Sequence, residues 1–350
     1  MTLSDVQRGY NDLKRLRLLK IFSVFLVLLV LCCLASCGTQ PYSSEFFAMD
    51  TVMTVSAYGK NSQQAVGSAQ EEICRLDGLF SVEKTESEIY ELNSSKTIAP
   101  SEDTYRIFNK AKEIYNMTDG AFDITVEPLE KAWGFYSSLE NRVPTQQEID
   151  LALEHTGFDK LNISEEKVAL DNDCAVDLGG IAKGYASGKA AEILKENGVT
   201  SALISLGGNV RAVGAKPDGS PWIIAIANPD DNAETSGTLS VKDRAVVTSG
   251  GYQRYFEENG QIYHHIIDTK TGYPAKSGLK SVTIVSGDDT LADGLSTALF
   301  VMGLEKSAEF YRGNSGLFGA VFITDENEIY VTENLKNSLS SSQTPKVILA

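Results

Sequence analysis

Apolar and polar positions alternate from Thr51 to Tyr58, the two-residue period of a strand, and then change at Gln63–Phe80 to helical spacing. A second helix is predicted from Ser101, where Tyr105, Phe108, Ala111 and Tyr115 gather near one face. Pro144-Thr145-Gln146-Gln147-Glu148 reads as a capping box opening a helix that ends near Gly157. Ile181–Asn197 is a further helix, stopped by Gly198. From Ala202 the pattern favours strands: Ala202–Leu206, Trp222–Ala227, Ala245–Thr248, Ile262–Ile267 and Lys280–Val285. A helix at Ala292–Met302 follows, then a hairpin, Ala320–Thr324 with Glu328–Thr332, around Asp325-Glu326-Asn327. No repeat of fixed period stands out, which argues against a solenoid. The reading is an α+β fold: one catalytic unit, two lobes with a cleft.

The first 36 residues follow neither pattern. A basic patch, Arg15 to Lys20, precedes the uncharged run Ile21 to Leu34. A spanning helix wants roughly 20 apolar residues, so this shorter run reads as the core of a signal peptide. It ends in Leu34-Ala35-Ser36-Cys37 before Gly38, which resembles the lipobox of bacterial lipoproteins. That resemblance implies cleavage after residue 36, diacylation of Cys37, a lipidated tether over 37–45, and a body over 46–350. The protein is then anchored to the cell membrane on its extracytoplasmic face. An uncleaved anchor, or an ordinary signal peptide with a chance cysteine, is the competing reading.

Charge sharpens this division. The chain carries −16, and residues 1–36 carry +3 (Arg8, Lys14, Arg15, Arg17 and Lys20 against Asp5 and Asp12), leaving −19 for the rest. Nucleic-acid affinity rests on neutralising phosphates with Lys and Arg, so no nucleic-acid partner is expected. At 42% hydrophobic the chain is too apolar for disorder. Of five cysteines, Cys32 and Cys33 leave with the signal and Cys37 takes lipid. Cys74 and Cys174 remain, making neither a disulfide framework nor a zinc pattern. Free buried thiols are expected, with a single disulfide left open.

Three histidines limit the metal chemistry. His264 and His265 are neighbours in a predicted strand, facing opposite sides, and His155 is remote, so the composition favours an oxygen-ligated ion such as Mg²⁺. Four glycine-punctuated segments remain. Asp177 to Tyr185 (DLGGIAKGY) turns from a strand-like stretch into a helix whose free N–H groups suit an anion, with Lys183 in the first turn. Thr118 to Val126 is a turn entering a strand-like run, and His264 to Pro274 a strand ending in a tight turn. In Thr290 to Thr297, Asp293 and Thr297 are four apart, so one helical face presents a carboxylate and a hydroxyl. Each segment also has an ordinary structural reading: a strand–helix turn with a surface lysine, or an Asp serving the helix dipole.

Taken in order, these segments resemble the ApbE family, the FAD:protein FMN transferases, from about Phe46 to the C-terminus. The matching stretches are Met49 to Met53, Thr118 to Asp123, Asp177 to Tyr185, Ser205 to Asn209, Thr248 to Gly250, His264 to Pro274 and Asp293 to Thr297. The resemblance implies an enzyme that binds FAD as substrate, splits its pyrophosphate with Mg²⁺, and attaches FMN to a Thr or Ser of an exported or membrane acceptor protein, releasing AMP. By position, Met49, Ala121, Phe122, Asp123, Asp177, Lys183 and Ile267 are expected to contact FAD. Gly180 and Thr290 (through backbone oxygens), Asp293 and Thr297 are expected around Mg²⁺. His265 matches the residue expected as catalytic base. Asp50 stands where the family usually has glycine, Glu83 where an aromatic commonly stacks near the flavin, and Thr269 where proline is common. FAD hydrolysis to FMN and AMP, or flavin binding without catalysis in a lipoprotein, are the alternatives.

Overall fold

The computed structural model describes residues 40–136, 138–171 and 173–350, and Cys37 with the segment before it lies outside these. Residues 41–350 form one compact unit. Its frame is a nine-stranded sheet in the spatial order Tyr42–Ala48, Thr51–Ala57, Ser201–Leu206, Asn209–Gly214, Arg244–Gly250, Leu279–Ser286, Phe318–Thr324, Ile329–Thr332 and Lys346–Ile348. Every neighbouring pair is antiparallel except the last, which is parallel.

Period-two alternation explains why the central strands are apolar throughout. Val247, Val282, Ile284, Ala320 and Phe322 face one core, beneath the helices. Their neighbours Val246, Val285, Val321 and Ile323 face a second core. A three-stranded sheet of Trp222–Asn228, Asp231–Val241 and Leu339–Ser341 caps that second face through Trp222, Ile224 and Leu239. On the helical face, Ser62–Phe80 packs on Ala182–Glu196, which packs on Asp289–Asn314. The last of these lies across Arg244–Gly250 and Leu279–Ser286.

A third, smaller core joins the helices Glu127–Trp133 and Gln146–Glu154 to the hairpin Tyr255–Glu258/Gln261–His264 through Trp133, Phe135, Ile149 and Ile267. The Trp133 indole N–H donates to the Gly272 carbonyl at 2.8 Å, tying that helix to the turn after His265.

Most predicted elements are present, several with shifted ends. The capping box at Thr145 is complete, with Thr145 and Glu148 exchanging backbone bonds, and the helix runs Gln146–Glu154. The helix predicted to end at Met302 continues to Asn314, but Gly303 (φ 75°, ψ 173°) breaks it where the first segment was expected to stop. The tether is shorter than expected, because Tyr42 to Glu45 already pair with Thr54 to Ala57.

Four expectations are corrected. The strand-like run at Thr118–Val126 is instead a 3₁₀ turn, Ile124–Val126, leading into Glu127–Trp133. Asp123 causes this: its carboxylate accepts from the Thr125 N–H and hydroxyl and starts a helical turn, and Pro128 suits a helix start. The strand expected over Ile262–Ile267 ends at His264, because from Ile266 the chain changes partner: the Ile266 carbonyl accepts from the Ala275 N–H, and Ile267–Asp268 pairs with Tyr273–Pro274 instead of Tyr255–Glu258. The stretch before Asp177 is extended but belongs to no strand; both backbone groups of Val176 bond the Asn93 amide instead. Cys74 and Cys174 are free thiols, as expected, but only Cys174 is buried; Cys74 is exposed on its helix.

Candidate functional site

A cleft of about 770 Å³ opens at the ends of the central strands and the N-termini of two helices. Met49, Ala121, Phe122, Asp123, Asp177, Gly180, Lys183, His265, Ile267, Asp293 and Thr297, predicted from five separated segments, all line it. Thr290 does not: it lines a separate cavity of about 520 Å³.

Asp293 and Thr297 sit one turn apart on Asp289–Asn314, whose N-cap, Asp288, accepts from the Leu291 N–H at 2.9 Å. Asp293 is 4% exposed, and its Oδ2 accepts from the Gly184 backbone N–H at 2.7 Å. Burial raises its pKa, opposed by the nearby Lys183 charge. Ser249 holds the same end of the cleft, with its hydroxyl 2.7 Å from Ser296 Oγ and 3.4 Å from Thr297 Oγ1. Gly180 lies against both walls: a Cβ there would be 3.1 Å from the Phe122 ring and 3.6 Å from Thr297 Oγ1.

Asp177 is anchored at both ends. Its backbone N–H donates to the Ile124 carbonyl at 2.8 Å, while its carboxylate accepts from the Gly179 N–H and from Tyr136 Oη at 2.9 Å. Tyr136 also lies 2.9 Å from Glu130, whose pKa burial and Asp177 push well above the usual range. The Lys183 ammonium donates to the Gly179 carbonyl at 3.2 Å, which holds its charge over the loop. Met49 and Asp50 form the two-residue turn between Tyr42–Ala48 and Thr51–Ala57, both with positive φ (46° and 60°). The positive φ accounts for a glycine being usual at Asp50, and aspartate is among the residues that tolerate it. Glu83 lines the cleft and accepts from the Ser138 N–H at 3.2 Å.

The two adjacent histidines face apart, although only His264 belongs to the strand. His264 turns inward, its Nε2 3.1 Å from the Ala275 carbonyl and its ring edge-on to Phe300. His265 faces the cleft with Nδ1 3.1 Å from the Arg254 carbonyl. That carbonyl can only accept, so Nδ1 carries the proton and Nε2 keeps its lone pair. Burial pushes the imidazole down to about 4, and the cations Arg254 and Lys183 act in the same direction.

Among the described residues no three His, Cys, Asp or Glu side chains gather around one point. One carboxylate with a hydroxyl and a backbone oxygen suits Mg²⁺, which commonly takes one or two carboxylates and completes its shell with water and substrate phosphate. Asp293, Thr297 and Gly180 fit that description. Sequence reasoning assigned no role to Asn209, Ser249, Glu130, Tyr136 or Arg254, all of which line or face the cleft. Asn209 and Ser249 lay inside recognised stretches, which was the available signal.

These features define a single α+β domain with a cleft that gathers a histidine, a lysine and a buried carboxylate. Residues 49–322 match the model of the ApbE family, and the chain belongs to that family. An FAD:protein FMN transferase of Vibrio cholerae is 34% identical over 282 residues, covering 77% of this chain and 84% of the relative. The structure of the ApbE protein of Thermotoga maritima superposes with a TM-score of 0.79 at 34% identity, covering 85% of this chain and 99% of that one. The apo flavinyl transferase ApbE of Pseudomonas stutzeri gives 0.77 at 29% identity, covering 86% and 97%.

Proposed function

We propose that this protein is an FAD:protein FMN transferase that works with Mg²⁺ on an exported or membrane acceptor. The observation that carries the reading is the meeting, in one cleft, of a neutral imidazole at His265, the buried Asp293 with the half-buried Thr297 one turn on, and the Lys183 ammonium. Relatives in the same family are named for this transfer.

The acceptor's Thr or Ser hydroxyl gives its proton to Nε2 of His265 as its oxygen forms a bond to the phosphorus on the FMN side of the pyrophosphate. The bond from that phosphorus to the bridging oxygen breaks, and AMP leaves with the oxygen. The Arg254 carbonyl keeps Nδ1 protonated, so the imidazole enters with the lone pair on the correct nitrogen. Lys183 offsets phosphate charge from the loop side. Asp293, Thr297 and the backbone oxygens of Gly180 and Thr290 are the proposed Mg²⁺ ligands; Thr290, outside the cleft lining, is the weakest member. When bound, Mg²⁺ stabilises charge building on the phosphate oxygens.

Cys37 carries lipid on the extracytoplasmic face, supported by the basic, apolar and small-residue order before it. No helix among the described residues is long and apolar enough to cross a membrane. Cys37→Ser should move the protein from the membrane to the soluble fraction and abolish palmitate incorporation; unchanged fractionation removes the lipid anchor. For the enzymatic reading, purified protein with FAD and Mg²⁺ should release AMP when acceptor is present. Absence of AMP with or without acceptor rejects it.

A further inference from the structure

Asn209 is 3% exposed and lines the cleft, and its side-chain amide nitrogen has no hydrogen-bond partner. Buried polar groups in folded proteins are nearly always paired, so an orphaned amide at a site calls for a partner that arrives later. The backbone fixes it there. Leu206 and Asn209 pair across the two-residue turn Gly207-Gly208, both glycines with positive φ, and Asn209 also pairs with Val247 of the next strand. A side chain at Gly207 would meet Thr51 at 2.5 Å, so the turn sits at one height against the Thr51–Ala57 strand.

The Asp293 carboxylate lines the same cleft and is within electrostatic reach of the Asn209 side chain, which lowers its pKa, yet no hydrogen bond of the amide nitrogen is completed. Asp293 Oδ2 is already held by the Gly184 N–H. A carboxylate asked to hold a small, geometrically demanding cation needs both its position and its rotation fixed. One backbone donor fixes a point and leaves rotation about it free.

We propose that Asn209 is a positioning residue for Asp293, its amide closing on the carboxylate as Mg²⁺ is taken up and so setting the orientation in which Asp293 ligates. This rests on the reading of Asp293 as a Mg²⁺ ligand. Residues that hydrogen-bond a metal ligand and fix its orientation typically change metal affinity 10- to 100-fold when removed. An unpaired buried donor does not stabilise the free protein, so its removal leaves the ligand-free fold at least as stable as before.

The test measures thermal unfolding of wild type, Asn209→Ala, Asn209→Leu and Asp293→Asn, with no ligand and then with increasing Mg²⁺ at fixed ADP, which has a pyrophosphate but no flavin. Leucine keeps the volume, so a cavity does not confuse the result. Both Asn209 variants are expected to match or exceed wild-type Tm without ligand. They should need 10- to 100-fold more Mg²⁺ for half the stabilisation, and Asp293→Asn should show no Mg²⁺-dependent shift. Wild-type Mg²⁺ dependence in both Asn209 variants overturns the proposal and leaves the metal reading standing. So does a lower ligand-free Tm in both with unchanged Mg²⁺ dependence, which marks Asn209 as a structural residue. A Mg²⁺ response in Asp293→Asn equal to wild type overturns the metal reading itself.

Discussion

Gly184 donates its backbone N–H to the Asp293 carboxylate at 2.7 Å, and no side chain fits at that glycine. A Cβ on Gly184 would come within 2.5 Å of both the Asp293 Cβ and the Asp289 carbonyl oxygen. Two helices meet there backbone to side chain, and the contact seats the buried acid of the site. Gly184→Ala should therefore separate the helices. The expected cost is about 1–3 kcal/mol of stability, the usual range for overpacking, together with loss of turnover. Chemical denaturation and AMP release measure the two effects, and an alanine variant with wild-type stability shows that the helices give way freely.

The His265 imidazole, held down to about 4 by burial, stays neutral through the neutral range. The unfolded chain takes up this proton near pH 6.5, so on this group's account stability falls as pH falls from about 6.5 towards 4. Activity limited by this base should persist below pH 6 in the free enzyme and decline only near the lowered value. His265→Gln should reduce FMN transfer by about 10²–10⁴-fold, the usual contribution of general base catalysis, with the acid limb gone from the residual rate. A pH profile of kcat/KM for both proteins decides it. An acid limb centred near 6.5 in wild type contradicts the buried, neutral imidazole.

Asp50 occupies a left-handed position (φ 60°) in the turn beside the cleft. Asp50→Gly relieves the side chain's conformational cost there and should raise stability by up to about 1 kcal/mol. Thermal unfolding checks this, and a fall in Tm means that the Asp50 carboxylate contributes an interaction outweighing its backbone conformation.

The two body thiols should differ sharply in reactivity. Cys174 is fully buried and its thiol is pushed up to about 11, mainly by burial, whereas Cys74 is exposed. A maleimide should modify Cys74 in the native protein and reach Cys174 only on unfolding. Peptide mapping after timed labelling reads both, and native labelling of Cys174 contradicts the packed core around it.

The sequence carried the site more fully than the path of the chain through it. Asp293, Thr297 and Lys183 stood out locally, by helical spacing and glycine punctuation, while their roles and that of His265 followed only from the resemblance of the ordered motifs to a family. Their meeting was not local: it depends on helix packing between Ala182–Glu196 and Asp289–Asn314, and on the Trp133 core that carries the His265 turn. The expectation of a strand at Thr118–Val126 failed because one side chain, Asp123, outweighs β-branched propensity by capping a turn. The strand ends early at His264 because the chain exchanges Tyr255–Glu258 for Tyr273–Pro274 as its partner, a change of neighbour that no periodicity shows. Asn209 escaped notice because an asparagine after Gly-Gly reads as turn chemistry; only burial and a missing partner distinguish it.

The most direct measurement is mass spectrometry of a candidate exported acceptor incubated with this protein, FAD and Mg²⁺, with AMP quantified in the same reaction. The prediction is one added FMN on a single Thr or Ser, with AMP released in equal amount, and neither product when Asp293→Asn replaces the wild type. AMP release with free FMN and an unmodified acceptor, across the acceptors the cell exports, contradicts the transferase reading and leaves a hydrolase in its place.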